Sequence, residues 1–369
     1  MYHRCTVSFF SLHIIYIILL SLLRAVGFYR CYNRFMISKK IAIDLGTANS
    51  LVYVIGKGLI ANEPTVVAVT IDDDKVVAVG KEAKEMLGRT PEGITASRPL
   101  RSGVIADYFV TEALLRYLID KAVGRSRLFK PEVMVSIPAG ATSVEARAVL
   151  DAAYAAGARV AYLIPEPLAA AIGTGLPISE PSGNMIVNIG GGTCEIAVVS
   201  LYGMVSHGSV RVGGNALDEA IATHVRRKYN LLIGDNTAEK VKIEIGAAFP
   251  LPKDSKMEVK GRDSVSGLPR TVSITSGEIV QCLSQPLSQI AVAIKNVLEK
   301  TPPELASDII DKGIVLTGGT SKLRNLDKYI THFTGVPAHV ADKPLLCVVN
   351  GIAKALENID VFNKSLTKK

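Results

Sequence analysis

Apolar positions along the chain form two kinds of run. Some are short and unbroken and stop at glycine; others are longer and carry apolar residues three and four positions apart. The first kind predicts buried strands, the second amphipathic helices. Residues 41–55, IAIDLGTANSLVYVI, read as a strand, a tight turn over 46–49 and a second strand, the pattern of a β-hairpin. Residues 186–199, IVNIGGGTCEIAVV, repeat it. Superposing Asp44-Leu45-Gly46-Thr47 on Asn188-Ile189-Gly190-Gly191 gives a shift of 144 residues (188 − 44). So long a shift points to two like domains in tandem and not to a solenoid of short repeats.

Strands and helices alternate after each hairpin. Helices are predicted over 111–121 and 144–156 in the first half, and strands over 132–137 and 159–164. The second half predicts helices over 216–228, 238–245 and 322–333, and a strand over 313–316. Such alternation implies an α/β fold, a mixed sheet flanked by helices. More polar stretches at about 62–100 and 220–276 read as small inserted subdomains.

The amino terminus breaks this pattern. Residues 7–23, VSFFSLHIIYIILLSLL, are almost wholly apolar and near the minimum length for a membrane-spanning helix. Arg24, Arg30, Arg34, Lys39 and Lys40 follow, against a lone Arg4 before, which would leave the body in the cytoplasm. The alternative is a mis-assigned start, because Met36 opens MISKKIAIDLG, a natural beginning for a domain that starts on a strand. Both readings stand, and the extension is set apart as residues 1–38.

Charge and composition narrow the classes. The net charge of +8 owes six bases and no acid to residues 1–40, which leaves 36 basic and 34 acidic residues beyond them. A nearly neutral body offers no phosphate-tracking face, so no nucleic-acid partner is expected. With 48% hydrophobic residues the body can bury substantial cores. Five scattered cysteines (Cys5, Cys31, Cys194, Cys282, Cys347) and six isolated histidines imply neither a disulfide framework nor a zinc site.

A hairpin turn whose amides converge can bind an anion, and glycine lets a phosphate approach closely. One such turn alone is an ordinary tight hairpin; two facing each other would clamp a triphosphate. Asp44, on the strand before the first turn, is placed to hold a hydrated magnesium through water. A third glycine pair, in GIVLTGGTSKLRNL, follows a strand, with Thr320 or Ser321 as N-cap of a helix whose terminus would attract phosphate. Thr142 and Glu145 fit a capping box, and the same glutamate could orient a water for attack on a terminal phosphate. Glu166-Pro167 reads as a structural helix start.

The motifs IDLGTANSLVYV, RPLRSGVIADY, EARAVLDAAYAAGA, EPLAAAIGTGLP, IGGGT, TAEKVKIEIGAAFP, KTPPELASDII and NGIAKALENI resemble those of the MreB family of bacterial actin homologues, from Met36 to about Ile359. The resemblance implies an actin-like ATPase fold: two ribonuclease-H-like domains, each with an inserted small subdomain, and ATP with magnesium in the cleft between them. It divides the chain into 39–181, 182–342 and a segment 343–369 that returns to the first domain. Gly46, Thr47, Ala48 and Asn49 would meet the phosphates from one side, Gly190, Gly191, Gly192 and Thr193 from the other, with Asn188 beside them. Glu239 and Lys242, one helical turn apart, would hold ribose and base, with Lys240 and Val241 in the same segment. Gly318, Gly319, Thr320 and Ser321 would close the pocket, and Glu145 falls on the water-positioning glutamate. Leu128-Phe129, flanked by Arg125, Arg127 and Lys130, matches a membrane-inserting loop. The implied partners are further copies in paired protofilaments, the inner face of the cell membrane, and membrane proteins of cell-wall synthesis and cell shape.

Six positions depart from the family pattern. Asn188 replaces an aspartate, Cys194 a threonine, Pro165 an acid, Asn215 and Ser102 two further aspartates, and Thr320 a glycine. Asparagine at 188 keeps shape but removes a charge near the metal. The expectation is therefore magnesium ATP binding with weakened hydrolysis. A non-hydrolysing scaffold is the alternative, and a small-molecule kinase of the same superfamily lacks a motif for its substrate base.

Overall fold

The computed structural model describes residues 38–362, apart from 102 and 125–128, together with 365–368. The apolar extension and Leu128 lie outside these residues. No helix among the described residues is long and apolar enough to cross a membrane.

Two sheets dominate. The first contains β1 (Lys40–Leu45), β2 (Asn49–Val54), β3 (Gly58–Pro64), β4 (Glu132–Ile137), β5 (Val160–Pro165) and, from the carboxyl end of the chain, β11 (Thr367–Lys368), in the order β11-β5-β4-β1-β2-β3. The second contains β6 (Asn184–Ile189), β7 (Cys194–Ser200), β8 (Gly203–Val210), β9 (Ile314–Thr317) and β10 (Ala338–Val340), in the order β8-β7-β6-β9-β10. Apart from β11 the two are the same sheet twice. β1–β2–β3 and β6–β7–β8 run antiparallel, while β1–β4–β5 and β6–β9–β10 run parallel. Asp44 pairs with Leu51 and Asn188 with Glu195, so the hairpins share a register at the 144-residue shift read from the sequence (188 − 44 = 195 − 51).

Strand alternation sends successive side chains to opposite faces and builds three cores. Ile41, Ile43 and Leu45 pack outward with α1 (Tyr108–Val123) and α2 (Ser143–Ala155). Met185, Val187 and Ile189 pack outward with α4 (Gly214–Tyr229), α5 (Asp235–Ile245) and α6 (Ser276–Glu299). Ala42 and Met134 of the first sheet and Ile186 and Ala197 of the second face the third core, filled by α3 (Glu166–Thr174) and α7 (Cys347–Glu357). The layers therefore run helix, sheet, helix pair, sheet, helix.

The polar insertions form small sheets at the rim. One joins Val67–Thr70, Val76–Val79 and Ile94–Ser97 under the helix Lys81–Met86; the other joins Leu231–Leu232, Lys256–Asp263 and Pro269–Thr275. One predicted helix breaks. Residues 322–333 divide into a 3₁₀ turn, Gly319–Lys322, and a helix, Leu326–Thr334, because Asn325 takes a left-handed conformation between them.

Candidate functional site

The strands that run parallel in each sheet bring their carboxyl ends to a common cleft, the edge where ligands bind in open α/β sheets. Asp44 nears the end of β1 as Asn188 nears the end of β6, Glu166 follows β5 and Gly318 follows β9. These residues line a cavity of about 490 Å³ between the two halves. It is also lined by Gly46, Thr47, Ala48, Asn49, Gly190, Gly191, Thr193, Glu239, Lys242, Gly319 and Thr320.

The two glycine turns touch face to face. A Cβ on Gly191 would lie 2.5 Å from Ala48 Cβ, and one on Gly192 2.5 Å from Thr47 Oγ1. Only glycine permits that approach, and residues of both turns line the same cavity. Their outer atoms are already committed. Thr65 donates to Gly46 O at 2.6 Å and Thr47 Oγ1 accepts the Gly103 amide at 2.9 Å. The first amides of α4 donate to Gly190 O and Gly191 O, and Thr320 Oγ1 donates to Gly190 O at 2.8 Å.

Acids gather beneath the turns. Ser136 Oγ donates to Asp44 Oδ1 at 3.0 Å, yet burial pushes the Asp44 carboxyl up to about 6. Burial, then the neighbouring Glu195 and Asp44, push Glu166 well above the usual range. Glu195 is fully buried and also raised by burial, although it accepts Ser209 Oγ at 2.6 Å and the Ala139 amide at 3.0 Å. Asn188, 4% exposed, donates from Nδ2 to Glu166 Oε2 and accepts Thr317 Oγ1 at Oδ1, each at 3.2 Å. Mutually repelling oxygen ligands of this kind fit a hard divalent cation. Among the described residues no three His, Cys, Asp or Glu are grouped to hold a metal ion directly.

Several predicted residues lie elsewhere. Glu145 does not line this cavity: its Oε2 accepts both the amide and the hydroxyl of Thr142, at 2.8 and 2.9 Å, completing the capping box of α2, and it lines a small adjoining pocket with Leu45, Gly103 and Ser136. A buried acid that lines the cavity is Glu166, which the sequence also explains as a structural helix start. Its signal was position, an acid directly after the carboxyl end of a parallel strand. Val241 points into the core behind α5, and Lys240 pairs with Glu244 in solvent; the helical period aims Glu239, Lys242 and Ile243 at the cleft instead. Thr320 and Ser321 cap no helix, since the turn there is capped by Gly318 without a side chain; Ser321 Oγ donates to Gly318 O. Gly192 and Ser321 support the lining without forming it. Phe129 is exposed at 41%, far from the cleft residues in sequence.

Duplicated ribonuclease-H-like sheets enclosing a cavity lined by paired glycine turns and carboxylates define an actin-like nucleotide-binding fold. The model of the MreB/Mbl protein family matches residues 38–364. The cell shape-determining protein MreB of Escherichia coli K12 is 51% identical over 338 residues, spanning 90% of this chain and 97% of that protein. The cell shape-determining protein Mbl of Bacillus subtilis 168 is 46% identical over 329 residues, spanning 89% and 99%. Among solved structures, MreB5 of Spiroplasma citri bound to AMPPNP superposes with a TM-score of 0.84 at 36% identity, over 89% of this chain and 98% of that one. The chain belongs to the MreB/Mbl family.

Proposed function

We propose that this chain is a cytoskeletal ATPase that binds ATP with magnesium in the cleft and assembles into filaments that determine cell shape. The observation that carries this reading is the face-to-face contact of the two glycine turns. Amides of 46–49 and 190–193 would receive the phosphates from opposite sides, with Asn188 beside them. Glu239 and Lys242 would hold the ribose and base, and Gly318, Gly319 and Thr320 would close the pocket. Asp44, with Glu166 and Asn188 near it, would hold magnesium through water; the ion supplies charge neutralisation at the phosphates. Glu166 would orient the attacking water; Glu145, to which the family resemblance gives that role, is the alternative. A relative 36% identical that binds an ATP analogue supports the ligand class.

In this reading copies of the chain pair as protofilaments in the cytoplasm, on the inner face of the cell membrane, beside membrane proteins of cell-wall synthesis. Exposed Phe129, with Leu128, would touch the bilayer. Each contact is weak, a few kcal/mol for two apolar side chains, and becomes firm through the many copies in a filament. Calorimetry with magnesium ATP is expected to give saturable heat, and electron microscopy with ATP and lipid vesicles to show filaments on the vesicles. No heat at millimolar ATP would overturn the reading.

Asn188 favours a second reading, a scaffold stabilised by nucleotide with little turnover. Its amide brings no negative charge to the cation and donates to Glu166 where an aspartate would not. Asn188→Asp is expected to raise phosphate release about fivefold, on the order of 1 kcal/mol of barrier. Equal rates would show that residue 188 does not limit hydrolysis.

A further inference from the structure

Lys84 and Glu239 are 155 residues apart in the chain, yet Lys84 Nζ lies 2.8 Å from Glu239 Oε2. Lys84 belongs to the helix Lys81–Met86, whose Ala83 packs with Val66 and Ala68 in the small core of the first half. Glu239 stands on α5 of the second half and lines the cavity. The ion pair thus crosses the mouth of the cleft. The charges around it are complementary in the same sense. The first half brings Lys84 and, nearby, Arg98; the second brings Glu239 and Asp218, and Lys242 Nζ is tied to Asp218 Oδ2 and Gly214 O at 2.8 and 2.9 Å.

The other end of the cleft is built differently. There α3 and α7 cross with backbone against backbone, so tightly that a Cβ on Gly351 would lie 1.7 Å from Ala169 O. A fixed crossing at one end and an ion pair at the other give the two halves a hinge and a fastening. The fastening is easily undone, because both side chains keep about a third of their surface in water (31% and 34%) and an exposed pair is weak.

We propose that Lys84 clasps Glu239 across the cleft, so that release of bound nucleotide requires this ion pair to break. Lys84 is then a positioning residue. It holds Glu239 by Oε2 and leaves Oε1 for a ligand hydroxyl, while keeping the small subdomains together over the cavity. The ligand in this proposal rests on the nucleotide reading of the cleft; the clasp itself does not.

Two measurements separate the two. Release of a fluorescent ATP analogue from the full chain is expected to be roughly two- to fivefold faster in Lys84→Met at low salt, the factor that an exposed ion pair contributes. It should be faster still in Lys84→Glu, and the difference between Lys84→Met and the parent should shrink at high salt. Amide hydrogen exchange without nucleotide is expected to quicken in 81–86 and 235–245 in both variants. Unchanged release together with unchanged exchange would overturn the clasp. Faster exchange in a protein that binds no nucleotide would uphold the clasp and sink the nucleotide reading instead.

Discussion

Glu166→Gln is expected to lower phosphate release about 100-fold while magnesium ATP still binds. The factor is that of a positioned proton-accepting group removed from a reaction whose barrier it lowers. Glutamine keeps the length of the side chain, and its carbonyl can still accept the Asn188 amide, so the shape of the cleft is preserved. What is lost is a carboxylate able to orient and polarise a water. The same substitution should stabilise the protein in the absence of nucleotide. Burial, Glu195 and Asp44 raise Glu166 above the value it has in an unfolded chain, and Asp44 sits at about 6. An acid raised by folding binds its proton more tightly when folded. Its contribution is therefore intact at low pH and lost as pH rises from the ordinary carboxylate range through the raised value. Removing Glu166 removes part of that loss. Thermal melts should show a gain for Glu166→Gln at pH 8 and little difference at pH 4. A drop in turnover with no gain in stability at pH 8 would mean that the carboxylate is not held in the environment described.

How far the sequence disclosed this site depended on the kind of signal. The duplicated hairpins were legible because glycine and apolar residues recur in order, and their register in the two sheets reproduces the shift read from the letters. Helix ends were legible where a local rule governs them, as in the Thr142–Glu145 box. The same local rule leaves the chemistry open: Glu145 completes its cap, and it also lines a small pocket with Gly103 and Ser136, which bond to Thr47 and Asp44 of the cleft. Glu166 starts its helix as read, but its place on the cavity was not legible. Its neighbours Pro165 and Pro167 explain it as a helix start, and only the convergence of β1, β5 and β6 shows that this helix start opens on the cavity. Residues 240 and 241 were included by adjacency in sequence, whereas α5 turns them away by 100° steps that a segment-wise reading ignores. The clasp from Lys84 to Glu239 lies outside any local pattern, since it depends on how two insertions meet.

Gly351→Ala is expected to destabilise the protein by about 3 kcal/mol, at the upper end of the cost of overpacking a core. On exposed helices the same exchange would gain up to about 1 kcal/mol from helix propensity, so the sign is set by space. The added methyl would lie 1.7 Å from Ala169 O and 2.9 Å from Gly173 N, and both are backbone atoms that no rotamer change can move. Gly173 meets the reciprocal limit, with Cys347 O at 1.8 Å. The helices must therefore separate, and α7 also packs in the central core with Val348, Val349 and Ile352 against both sheets. Their separation would alter the angle between the halves as well as the packing of the core. A fall in melting temperature of roughly 5–10 °C should follow, with weaker ATP binding because the two glycine turns no longer meet. Gly93→Ala serves as the control, since its Cβ would meet nothing within 4 Å. If Gly351→Ala melted with Gly93→Ala and bound ATP like the parent, the crossing would have to be looser than 1.7 Å implies, and the hinge would have to lie elsewhere.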